Sequence, residues 1–275
     1  MVQDFQRLLS DDRIKSFMEI GIERFDDENY PFLSYIGVDF KGADLLSLKL
    51  YMHGYKKHAV SDLKPLFPKF ELIEDEYSKF SETKYSLDAS EYQNDHPLGH
   101  MGTLFKFKLT KSGDESSTFF IRPKGYDHGP MTELELPEKE GDKLIDDYYS
   151  CEQSGNRVLF KRYYPIEKPT NIRFTLDKFN FSDVPVEDVG ILEYLEYDGR
   201  MKIAMSFKEN SIQKYIPESA RELTDFLSEN YWLNAMGLGR CKKSKIQSLY
   251  FMSNAKRRFF KDSLTFQSLL GESFD

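Results

Sequence analysis

Seven basic side chains sit where apolar and polar residues alternate: Lys49, Lys106, Lys108, Arg122, Arg173, Arg200 and Lys202. Successive side chains of an extended strand point to opposite faces, so alternation sorts residues by the side they serve. Around Lys49, the residues Leu46, Leu48, Leu50 and Met52 form one set, and Ser47, Lys49, Tyr51 and His53 form the other. On a solvated strand face a lysine is ordinary, and at a sheet edge it guards against aggregation. If the sheet instead curls until the polar faces meet, the same cations converge. A highly charged anion such as a diphosphate would then suit them, because charge-assisted hydrogen bonds are strong where water is excluded. Tyr51, on the face of Lys49, adds a ring whose electron-rich surface attracts cations.

Other chemistries find little support. His96 and His100 are four apart, but Pro97 and Gly99 lie between them, so the pair does not read as zinc ligands on a helix. Gly237-Leu238-Gly239 lacks a third glycine and reads as the stop after a helix, not as a dinucleotide loop. There is no P-loop and no Gly-x-Ser-x-Gly elbow. The acid pairs Asp11-Asp12, Asp26-Asp27 and Asp146-Asp147 do not extend to a magnesium-binding spacing and read as solvated. Between Arg240 and Lys261 there are eight Lys or Arg and no Asp or Glu. That stretch could contact nucleic acid, but Tyr250, Phe251, Phe259 and Phe260 fit a core strand and an amphipathic helix equally well.

The 275 residues form one expected domain over 1–275, and the formal charge of −8 opposes general binding to nucleic acid or membrane surfaces. Seventeen Tyr and 23 Phe against a single Trp make the buried area strongly aromatic. Cys151 and Cys241 are too few and too far apart for a disulfide framework and read as buried thiols. No apolar run reaches the length of a membrane-spanning helix, and the N-terminus is acidic and amphipathic, so a soluble cytoplasmic protein is expected.

These residues need strands to position them. The spacing predicts a helix over 3–24 and a hairpin from Leu33 to His53 that turns at Lys41-Gly42-Ala43-Asp44. In its first strand Ile36, Val38 and Phe40 are the apolar set, and Tyr35, Gly37 and Asp39 the polar one. A helix is expected after Ser61-Asp62 and a loop over 81–97. A second hairpin spans Thr103 to Arg122, an acidic helix Glu138 to Ser150, and a third strand pair Arg157 to Tyr164 and Asn171 to Lys178. The fourth hairpin is the clearest, because Asp198-Gly199 between two alternating runs favours a type I′ turn. Its register sets Tyr197 opposite Arg200, Leu195 opposite Lys202 and Glu193 opposite Ala204. A helix pair over Ile212–Asn234, a strand over Lys245–Met252 and a helix over Ala255–Leu270 complete the chain. The fold class is α+β: an antiparallel sheet of nine or ten strands with helices on one side, open or closed into a barrel.

VDFKGADLLSLKLYM resembles the strand–turn–strand motif of the ABBA-type aromatic prenyltransferases, especially the fungal indole group. RMKIAMSF and SLYFM resemble a later repeat and the tyrosine-rich closing strand of that family. The resemblance implies repeated α-β-β-α units forming a ten-strand barrel. It also implies that Lys49, Arg200 and Lys202 bind the diphosphate of an allylic donor while Tyr51 and Tyr250 shield the carbocation. The partners would be an allylic diphosphate and an aromatic acceptor, with no cofactor and no magnesium requirement. Ala204 departs from the pattern, standing where the later repeat has a tyrosine, and no motif places a catalytic glutamate. Glu193 is the expected base because the hairpin register puts it on the face of Lys202. The rival expectation is a non-catalytic α+β module that binds a protein or ligand on an open sheet.

Overall fold

The computed structural model describes residues 1–25, 33–54, 103–121, 136–138, 148–197, 200–229, 231–241 and 244–253. Two helices open it, α1 (Val2–Leu9) and α2 (Asp12–Phe25), followed by the strands β1 (Leu33–Lys41) and β2 (Asp44–Gly54). Then come β3 (Thr103–Thr110), β4 (Glu115–Ile121), β5 (Tyr148–Ser154), β6 (Arg157–Pro165), α3 (Pro169–Lys178), β7 (Val189–Tyr197) and β8 (Arg200–Phe207). The chain continues through α4 (Glu209–Tyr215), α5 (Glu218–Ser228), β9 (Tyr231–Cys241) and β10 (Ser244–Ser253). The ten strands form one sheet in the order β8-β7-β6-β5-β4-β3-β2-β1-β10-β9, every pairing antiparallel. The mixed α+β class is as expected. The first strand carries the last hairpin on its free side, so β10 pairs with β1. Strands β8 and β9, at opposite ends of the order, also lie against each other.

One face of the sheet is the core. Ile36, Val38, Phe40, Leu48, Leu50, Phe107, Leu109, Leu249 and Phe251 pack with Phe5, Leu9, Ile14, Phe17 and Leu223 from the helices. The alternation was thus a faithful guide through most of the first hairpin, with a register shift near each end, one of them between Leu33 and Tyr35. The β1–β2 register slips between Asp39–Ser47 and Phe40–Leu45, so Leu46 is the extra residue of a bulge. Leu45 is fully buried in its place, and the Leu46 carbonyl accepts the Lys111 N–H at 2.8 Å. In the fourth hairpin the expected pairs form: Tyr197 with Arg200, Leu195 with Lys202, Glu193 with Ala204.

Four expectations are corrected. The helix over 3–24 is two helices. Ser10 Oγ donates to the Arg7 carbonyl at 3.0 Å, and Asp11 Oδ1 accepts the Arg13 N–H at 3.0 Å, which caps α2. The segment over 171–178 is the helix α3, not a strand. Pro169 at its first position cannot serve a ladder but suits a helix start, and the buried pair Asn171 and Thr175 has helical spacing. Arg173 therefore leaves the strand-face set; it bonds the Ser182 and Val184 carbonyls instead. The partner of β6 is β5, which occupies 148–154 where the acidic helix was expected to end. Gly237 and Gly239 lie within β9, opposite Ser248 and Ile246, so they do not end a helix. The segments expected at 61–97 and 255–270, the Asp198-Gly199 turn, and the side chains of Cys151 and Cys241 fall outside the described residues. So do Arg122, His96 and His100.

Asn171, fully buried, ties α3 to the chain ahead of β5: its Oδ1 accepts the Glu138 N–H at 3.1 Å and its Nδ2 donates to the Glu138 carbonyl at 2.8 Å. Asn171→Ala removes both bonds. We expect a loss of about 2 kcal/mol in urea unfolding, whereas truncating exposed Lys178 to Ala should change stability by under about 0.5 kcal/mol.

Candidate functional site: a buried charged face

The second face of the sheet is polar by sequence, yet it is not wet. Asp39, Ser47, Lys49, Tyr51, Lys106, Thr118, Ser150, Tyr163 and Ser248 are all buried on it. Charges withdrawn from water persist only when paired and hydrogen-bonded, so the pairing on this face defines the site.

Asp39 is the first centre. Lys49 Nζ donates to its Oδ1, and Ser248 Oγ reaches the same oxygen at 2.5 Å. Ser47 Oγ donates to Oδ2 at 2.8 Å, and Lys108 Nζ lies 3.1 Å from Oδ2. The register makes this convergence inevitable. Asp39 on β1 faces Ser47 on β2 and Ser248 on β10, and Lys49 faces Lys108 on β3. Burial alone would push the Asp39 carboxyl up, but the two ammonium groups and the bonds from Lys49 and Ser248 outweigh it and hold it far below the usual range. Burial would likewise lower Lys49; Asp39 overcomes it and keeps the ammonium charged. Two lysines thus share one carboxylate.

Rings cover this centre. Lys49 Nζ lies 3.4 Å from the Tyr250 hydroxyl and 5.1 Å from its ring centroid. Tyr51 meets Tyr250 edge-on with centroids 6.0 Å apart, and Tyr35 meets Tyr51 at 6.2 Å. Gly37 makes this possible. It sits between Lys49 on β2 and Tyr250 on β10, and a Cβ there would meet Tyr250 Cδ1 at 3.1 Å and Tyr51 Cε2 at 3.2 Å.

Glu152 on β5 is the second centre, bound at Oε2 by Lys161 Nζ at 2.6 Å, Lys106 Nζ at 3.2 Å and Thr118 Oγ1 at 3.3 Å. Burial opposes its ionisation, but the two lysines hold it well below the usual carboxylate range. Lys106 does not mirror this. Burial pushes Lys106 down to about 7 against the pull of Glu152, with Lys161, Lys49 and Lys108 adding to the fall. The geometry agrees, since Lys161 has the shorter bond. Beyond it, the Tyr163 hydroxyl lies 3.1 Å from Ser150 Oγ. Burial raises the Tyr163 phenol far above its usual range, the Ser150 bond opposes this, and Glu152, Glu193 and Tyr250 reinforce it.

Of the residues expected from sequence, the structure brings together Lys49, Tyr51 and Tyr250. Glu193 is half-buried on β7 and acts electrostatically on Tyr163. Arg200 and Lys202 hold their expected backbone positions on β8 opposite Tyr197 and Leu195, and their side chains lie outside the described residues. Sequence reasoning missed the roles of Asp39, Gly37, Glu152, Lys161 and Tyr163. Asp39 carried a partial signal as the carboxylate of the polar set on the first strand; that it faces Ser47 follows from the bulge at Leu46. Glu152 carried none once its strand was read as the end of a helix. Among the described residues there is no group of three or more metal-ligating side chains and no helix long and apolar enough to cross a membrane.

Two variants probe this arrangement. Asp39→Asn strips the shared carboxylate from two buried lysines and is expected to cost about 3–5 kcal/mol in chemical unfolding. Adding Lys49→Met should restore a substantial part of that loss, and strict additivity of the two changes would break the assignment. Gly37→Ala forces the rings of Tyr51 and Tyr250 apart at a cost of about 1–3 kcal/mol, read as a change in near-UV circular dichroism with unaltered far-UV signal.

No family model matches the chain. No curated protein matches it. Among solved structures it is similar to the crystal structure of NotF in complex with brevianamide F and DMSPP, at 10% sequence identity over 92% of this chain and 92% of that one, with a TM-score of 0.48.

Proposed function

We propose that the ten strands close into a barrel around the polar face, and that the enclosed space binds an allylic diphosphate and transfers its allyl group to an aromatic small molecule or peptide. The observation that carries this reading is the Asp39 centre. There two buried lysines share one carboxylate, which leaves an excess of positive charge directly beneath the rings of Tyr51 and Tyr250. Closure is supported by the contact between β8 and β9. It is also supported by the electrostatic influence of Tyr250 on Tyr163. Their strands are six places apart in the sheet order, roughly 29 Å along a flat sheet, so the sheet must bend to bring them near each other.

In this reading Lys49, Arg200 and Lys202 hold the diphosphate. As the allylic C–O bond breaks, the leaving diphosphate takes the electron pair and the lysines neutralise the charge that develops on it. The allyl cation lies against Tyr51 and Tyr250, whose ring faces stabilise it. A carbon of the acceptor ring then attacks, and the proton it releases passes to Glu193. Asp39 competes with the diphosphate for Lys49 and keeps that lysine charged and oriented while the site is empty. The rival reading, a binding module with an open wet sheet, fits poorly with a polar face whose Lys49 and Lys106 are only 7% and 8% exposed.

The test is calorimetric titration with a non-ionising dimethylallyl thiodiphosphate. Lys49→Ala and Lys202→Ala should each weaken binding at least about tenfold, or about 1.4 kcal/mol, measured at a temperature where each variant is folded. No heat of binding to the wild type would sink the proposal.

A further inference from the structure

The Glu152 centre holds its cations unequally. Lys161, Lys106 and Thr118 all bind the single oxygen Oε2, and Lys161 has the shortest bond. Of the two ammonium groups on this oxygen, Lys106 makes the longer contact. It is also crowded by like charge. Lys108 lies two residues along the same face of β3, Tyr51 faces Lys106 from β2 with Lys49 next along that strand face, and Lys161 on β6 acts on Lys106 electrostatically. Thr118, directly opposite on β4, carries no charge. Glu152 on β5 is a carboxylate in contact with Lys106, Asp39 is engaged by Lys49 and Lys108, and Glu193 acts at Tyr163. Lys106 is 8% exposed, so water screens little of this repulsion.

We propose that the Lys106–Lys161–Glu152 cluster is an anion subsite that loads its anion together with a proton, Lys106 being the group that gains it. This rests on the reading of the polar face as an enclosed anion site. The anionic group is the carboxylate of an aromatic acceptor or a phosphoryl group of the donor; both present the oxygens that an ammonium group requires. An incoming anion adds negative charge beside the Glu152 oxygen that Lys106 shares with Lys161. The proton comes from solvent to the Lys106 amine, and no covalent bond of the ligand changes.

The sign follows from the empty site, where burial and neighbouring cations hold Lys106 near 7. Well below that pH the lysine is charged with or without ligand, and binding takes up no proton. Above it the empty site is neutral and the loaded site charged, so affinity should fall as pH rises, approaching about tenfold per pH unit for one proton taken up.

Isothermal titration at about pH 8, above the range where Lys106 of the unliganded protein gains its proton, reads this directly. The probes are 4-hydroxybenzoate and inorganic pyrophosphate, each titrated in HEPES and in Tris, whose ionisation heats differ. The expected result is a buffer-dependent enthalpy that reports proton uptake with at least one probe, and the probe that shows it identifies the source of the anion. Lys106→Arg, charged at every accessible pH, should bind with a heat that no longer carries that contribution. Lys106→Met should bind at least tenfold more weakly with an unchanged thermal transition. Buffer-independent heats in the wild type, or equal proton uptake by wild type and Lys106→Arg, would overturn this proposal alone. Binding by neither probe would overturn it together with the diphosphate reading. Proton-linked binding in a protein that fails to turn over allyl diphosphate would leave the subsite standing without the transferase.

Discussion

The carboxylate of Asp39 is the interaction on which the polar face depends. It accepts from Lys49 and Ser47 on β2, from Ser248 on β10 and from Lys108 on β3, so one side chain on β1 joins three other strands. Each of those charges would be costly to bury alone. Held together, they make a dry face with ordered cations. The apolar face can tolerate exchange among hydrophobes of similar volume. The polar face cannot, because every donor there has been oriented by a particular acceptor.

The same logic separates the two centres. At Asp39, the serines on both neighbouring strands supplement the lysines, so the carboxylate is fully committed and Lys49 stays charged. At Glu152, three donors crowd one oxygen and the nearest neighbours are further cations. One centre is saturated, the other strained by like charge. Lys106 and Lys108, two residues apart on one face of β3, thus serve different carboxylates, Glu152 and Asp39.

Much of this was legible in the chain itself. Alternation in the first and fourth hairpins revealed the two faces, and the type I′ turn signal at Asp198-Gly199 fixed the β7–β8 register to the residue. Lys49, Tyr51 and Tyr250 were identified as neighbours in function, and the structure brings them within contact. What failed has physical causes. Pattern reasoning cannot foresee a bulge, so Leu46 took the place of Leu45. Ile172, Phe174 and Leu176 alternate as a strand would, which hides the helix that Pro169 is suited to start. Missing that helix left β6 with the wrong partner, and with the true partner, β5, went Glu152. Ion-pair partners are set by register across strands distant in sequence, and a single sequence holds no record of that register beyond its tight turns.

The pairing of β1 with β10 also has a temporal consequence. Lys49 and Tyr250 are 201 positions apart, and so must wait for one another during synthesis. A ribosome exposes Asp39, Lys49 and Lys108 long before Ser248 and Tyr250 emerge, and until then β1 is an uncovered edge of the kind that recruits other chains. Pairings of such long range are slow to form. The nascent protein therefore carries its charged residues as a half-built surface, and the acidic Asp39 beside two lysines on that edge discourages the wrong strand from arriving first.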